Sequence, residues 1–96
     1  MTYNGYANYE TWNVALWLDN DQSDYANMQE LTREHKDHPA QLADAIREYV
    51  EENHIPDLGA TMAADLLGAA MSEVNWFELA ETKLADMPED EDEEEA

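Results

Sequence analysis

The sequence predicts an all-α fold, a compact bundle of about five short helices over residues 1–86, with a disordered acidic C-terminal tail over 87–96. Three observations point there. Apolar residues recur three and four apart in five separate segments, and no stretch alternates apolar with polar long enough to demand a strand. Residues that favour helix starts, Asn8, Pro39 and Asn75 among them, stand at the heads of those segments. The last residues are a run of carboxylates, which repel one another and have nothing apolar to bury.

Taken in order, Asn8 caps a first helix near 9–19. Trp12 and Leu16 share one face, and Val14 joins Trp17 and Leu18 on another. So broad a stripe predicts a central helix with several neighbours, its two indoles supplying much of the core. The run Asp19 to Asp24 breaks that pattern and caps a second helix over 22–36, with Tyr25, Met28, Leu31 or Thr32, and His35 on one side. His35 and Lys36 suit its negative end. Pro39 opens a third helix at the first-turn position that proline favours. Its stripe is Leu42, Ala45, Ile46, Tyr49 and Val50, and Pro56 helps end it, since a residue before proline leaves the α region. A fourth helix spans about 60–73 with Met62, Ala63, Leu66, Leu67, Ala70 and Met71, where Gly59, Gly68 and the alanines predict close helix packing. Asn75 and Glu78 form a capping-box pair ahead of a fifth helix that reaches about Asp86 and buries Trp76, Phe77, Ala80 and Leu84.

Charge says most about function. Asp and Glu number 24 against four Lys and Arg, a net charge of −20. A small domain needs only roughly 2–8 net charges to stay dispersed. Asp86, Glu89, Asp90, Glu91, Asp92, Glu93, Glu94 and Glu95 account for eight of these acids, so the other 16 still face only Arg33, Lys36, Arg47 and Lys83. Such a field attracts basic surfaces and repels phosphate. Direct nucleic-acid binding is disfavoured, because four bases neutralise few phosphates. Membrane association is disfavoured too: no apolar run approaches the ~20 residues a span needs, and anionic lipid repels the chain. There is no cysteine for a disulfide or a thiolate metal site. Residues 1–5 lack the basic and apolar regions of a signal peptide.

No catalytic motif occurs: there is no nucleophile elbow, phosphate loop or dinucleotide fingerprint. Asp19, Asp21, Ser23 and Glu30 match some ligand positions of a calcium loop, but Asp24 stands where the sharp turn requires glycine. His35 and His38 straddle a helix end without a third ligand, and His54 stands alone. The sequence therefore predicts no enzyme, no metal and no cofactor.

Tyr9-Glu10-Thr11-Trp12-Asn13-Val14-Ala15-Leu16-Trp17-Leu18-Asp19-Asn20-Asp21 resembles the N-terminal Y-E-T-W-N-V-A-L-W motif of a family of small, mostly uncharacterised proteins of bacteriophages, plasmids and other mobile elements. Glu73-Val74-Asn75-Trp76-Phe77-Glu78-Leu79-Ala80-Glu81 is similar to a later segment of the same group. The resemblance implies a helical protein in the cytoplasm of a bacterial host, and brings no catalytic residues with it. Small acidic proteins of mobile elements include inhibitors of CRISPR and restriction complexes that imitate DNA in charge.

The physics of such mimicry is sound, because nucleic-acid channels are lined with Lys and Arg that draw affinity from phosphates. Carboxylates three or four apart on a helix lie ~5–6 Å from one another, close to the phosphate spacing along a strand, roughly 6–7 Å. Three groups are candidates for partner binding: Asp44, Glu48, Glu51 and Glu52 on the third helix, interrupted by Arg47; Glu30, Glu34 and Asp37 on and after the second; and Asp19, Asp21 and Asp24 at the first turn. The expectation is a DNA-mimic inhibitor that occupies a basic, nucleic-acid-binding host protein. The alternative is an acidic adaptor that binds a basic phage or host protein without imitating DNA.

Overall fold

Helix starts in this chain are written in side chains that accept backbone N–H groups. In the computed structural model, which describes residues 2–87, Asn8 accepts the N–H of Thr11 and opens α1, Tyr9–Asn20. Asp21 alone separates α1 from α2, Gln22–Glu34; it ends the first helix and caps the second by accepting the N–H of Asp24 at 2.9 Å. Pro39 begins α3, Pro39–Asn53, without a side-chain cap. Thr61 caps α4, Met62–Ser72, and Asn75 caps α5, Trp76–Asp86. Among the described residues no strand forms, only an isolated bridge in which Tyr3 and Tyr6 exchange both backbone hydrogen bonds, at 2.7 and 2.8 Å. Asn4 and Gly5 make that turn at φ 49° and 91°, the positive values that an Asn-Gly pair tolerates.

The architecture is thus the five-helix, all-α bundle that the spacing predicts, with helix ends shifted by a residue or two: α2 stops at Glu34 and α4 starts at Met62. No described helix is long and apolar enough to cross a membrane. The acidic tail expected over 87–96 lies, beyond Met87, outside the described residues.

The centre of the bundle differs from the expectation. It is α3, not α1, that buries the most, through Leu42, Ala43, Ile46 and Val50, and it packs most extensively against α5. Leu18, Met28 and Ala80 complete the main core, flanked by Val14, Leu31, Leu84 and Trp76. A smaller cluster of Ala15, Val74 and Leu79 shares Val14 and Trp76 with it. The buried face of α1 is Thr11, Ala15 and Leu18, one narrow line of four- and three-residue steps. That line turns Trp17 outward, 64 % exposed, and leaves Leu16 exposed as well. Trp12 is half-buried, its ring packed at a tilt against Tyr3 and Tyr9 at centroid distances of 5.0 and 5.6 Å. The two indoles of α1 therefore do not build the core. Phe77 is likewise exposed, because α5 turns Leu79 and Ala80 inward.

The expectation of close packing around α4 also fails. None of its residues is buried, Met62 and Leu66 are 78 % and 65 % exposed, and a Cβ added at Gly68 would meet nothing within 4 Å. Gly59 has a backbone reason of its own, a φ of 64°. Although α4 is rich in apolar residues, it packs against the other helices less than any of them does.

Candidate functional site

The two motif segments near the chain ends meet in space. Thr11, fully buried, donates its hydroxyl to Asn8 Oδ1 at 2.6 Å and accepts the N–H of Asn75 at 2.8 Å. Asn8 Nδ2 in turn donates to the Glu73 carbonyl at 2.7 Å, and the Ala7 N–H donates to Glu78 Oε1 at 3.0 Å. The caps of α1 and α5 are thus one hydrogen-bonded unit. The Tyr-Glu-Thr-Trp-Asn and Val-Asn-Trp-Phe-Glu segments serve architecture at these positions.

The acidic candidates divide into free and committed carboxylates. On α3, Asp44, Glu48, Glu51 and Glu52 are all exposed and fall within one arc of the helix. Arg47 pairs with Glu51 at 3.2 Å, and among the described residues Asp44, Glu48 and Glu52 have no cation within ion-pair reach. On α2, Glu30 and Glu34 are exposed one turn apart, with Asp37 exposed in the connection that follows. Glu30 pairs with Arg33 at 3.6 Å. These two rows keep most of their charge for the solvent side.

The first-turn group is different. Asp19 is ion-paired with Lys83, whose ammonium also sits 5.6 Å from the centre of the Tyr25 ring. Asp21 spends a carboxylate oxygen on the α2 cap. Asp24 is not a surface charge at all: it is 6 % exposed, accepts the Tyr49 hydroxyl at 2.5 Å and lies 2.8 Å from His54 Nε2. Asn27 donates to the Tyr49 oxygen at 3.2 Å. Burial, and then the hydrogen bond to Asp24, push the Tyr49 phenol above its ordinary pKa, with Asn27 pulling the other way. Because Asp24 near the start of α2 meets Tyr49 and His54 at the end of α3, the two helices run antiparallel and this network fastens them. The helix pattern through Tyr25 and Met28 holds no hint that Asp24 points inward; only its partners in α3, 25 and 30 residues away, reveal that.

A second surface feature was not read from the sequence. An apolar groove of about 370 Å³ runs between α1, the end of α3 and α4, with Val14, Trp17, Val50, Ile55, Leu67 and Met71 among its walls. Its polar lining is Glu10, Asn13, His54 and the hydroxyl-bearing Tyr9, which accepts a hydrogen bond from Asn13 Nδ2 at 3.1 Å. The available signal was α4 itself, a helix too apolar for the little it buries. Among the described residues, no group of three or more His, Asp or Glu is placed to hold a metal ion.

Fold and surface together define a small acidic helical protein with two exposed surface features, one charged and one apolar. Residues 1–95 match the Family of unknown function (DUF7249), and the chain belongs to that family. Comparison with curated proteins and with solved structures gave no match.

Proposed function

We propose that the protein acts by binding, as a DNA-mimic inhibitor that occupies the basic nucleic-acid-binding surface of a CRISPR or restriction complex. The observation that carries this is the outer face of α3. Asp44, Glu48 and Glu52 are exposed there without a cation partner among the described residues, on the helix that anchors the core through its other side. A rigid row of like charges costs stability, and its spacing suits the Lys and Arg ladder of a phosphate channel. The row of Glu30 and Glu34 on α2 extends the field.

The test is displacement. Purified restriction and CRISPR complexes are loaded with fluorescent duplex DNA and titrated with the protein. Dose-dependent release of DNA is expected, together with loss of release when Asp44, Glu48, Glu51 and Glu52 are all changed to Lys while helix content stays constant. Release that survives the four reversals would overturn the proposal. The adaptor alternative has one specific observation in its favour, the apolar groove, since imitation of phosphate needs no exposed indole. An adaptor would hold its basic partner while DNA stays bound.

A further inference from the structure

The groove between α1, the end of α3 and α4 is apolar on its walls, in a chain whose net charge is −20. We propose that it receives a cationic amphipathic helix of a partner protein, whose apolar side chains seat against Trp17, Leu67 and Met71 while its Lys and Arg side chains turn to Glu10 and the acidic field of the chain. This rests on the reading that the chain works by binding a basic protein, and it adds how part of that protein is held.

Charge selects the occupant. The groove lining contains Glu10 and no Lys or Arg. Of the elements that build it, α1, the 54–61 segment and α4 contain no Lys or Arg, and the Arg47 of α3 is paired with Glu51. A second copy of the chain would bring another −20 of charge to the contact, and the chain's own carboxylate-rich C-terminal segment is repelled for the same reason. A positively charged helix with one apolar stripe satisfies both the apolar walls and Glu10, the arrangement by which helices commonly lie in protein grooves.

The apolar side is equally specific. Trp17 is 64 % exposed at the groove, and tryptophan is the residue type most enriched among side chains that dominate binding energy. Opposite it, α4 presents Leu67 and Met71 from a helix with no buried residue of its own. Methionine adapts its shape to different apolar partners. A helix laid between α1 and α4 would give α4 the packing that the rest of the bundle does not.

The experiment uses the full chain and three helical peptides of equal length: Lys–Leu amphipathic, Lys–Ala of the same charge without an apolar stripe, and Glu–Leu amphipathic. Binding is followed by fluorescence anisotropy, and the contact surface by amide chemical shifts. The Lys–Leu peptide is expected to bind at least tenfold more tightly than either of the others. Its shifts should map to α1 and α4, and Trp17→Ala should weaken it by about tenfold or more while leaving the circular dichroism spectrum unchanged. Equal binding of Lys–Leu and Lys–Ala peptides, unaffected by Trp17→Ala, would overturn the groove proposal and leave acidic-surface binding standing. Failure of both cationic peptides to bind the wild type would overturn both. Tight binding of the Glu–Leu peptide, or a homodimer abolished by Trp17→Ala, would show that a different occupant fills the groove.

Discussion

Thr11→Val replaces a hydroxyl by a methyl of nearly the same size, at a fully buried position and with nearly the same helix propensity. The Asn75 N–H then loses its acceptor, which costs about 1–3 kcal/mol for a buried donor. That cost falls toward the lower half of the range because this N–H is only partly buried. The bond to Asn8 Oδ1 is also lost, about 1 kcal/mol. The added methyl returns about 0.8 kcal/mol. The net is a destabilisation of about 2 kcal/mol, or about 10 °C in melting temperature for a domain of this size. Thr11→Ser keeps both hydrogen bonds and loses one methyl, for about 1 kcal/mol. Urea and thermal unfolding followed by far-ultraviolet circular dichroism separates the two variants. Pairing Thr11→Val with Asn8→Ala should cost less than the sum of the single changes, because both act on one network. A Thr11→Val protein as stable as wild type, or more stable than Thr11→Ser, would refute the idea that these hydrogen bonds lock the two ends together.

Other expectations follow from the same geometry. Met28→Ala, at a side chain with no exposed surface, should cost about 2–5 kcal/mol, whereas Trp17→Ala should change stability by no more than about 0.5 kcal/mol; chemical denaturation checks both. For Tyr49 the folded protein favours the neutral phenol, so its contribution is complete below the unfolded tyrosine value, near pH 10, and drains as pH rises through the higher folded value. Urea midpoints measured between about pH 8 and pH 11 should therefore fall more steeply for wild type than for Tyr49→Phe, and parallel curves would contradict the assigned environment.

Much of the fold was legible because local chemistry carries it. Asn8, Pro39 and Asn75 sit at helix starts, and the three- and four-residue spacing places all five helices. Which face of a helix turns inward is a tertiary matter, and there the spacing misleads. On α1 neither the Trp12–Leu16 face nor the Val14–Trp17–Leu18 face turns inward; the narrow line of Thr11, Ala15 and Leu18 does, because small side chains let it approach α2 and α5. The Asn4-Gly5 turn is legible in its dipeptide alone. For the acidic surface, composition indicates the sign of the field and helix spacing indicates the rows on α2 and α3. Neither distinguishes Asp44, free at the surface, from Asp24, held by Tyr49 and His54 across the helix pair.

The bond from Asn75 to Thr11 joins residues 64 positions apart. Contacts of such long sequence separation are slow to form, since the entropy of closing the intervening loop opposes them. A nascent chain emerging from the ribosome has to be synthesised through Asn75 before the first helix can find its fastening. Truncated translation products would therefore lack the finished architecture even though they already contain the whole acidic row of α3. Synthesis through Asn75 is therefore a condition for fastening the first helix to the last.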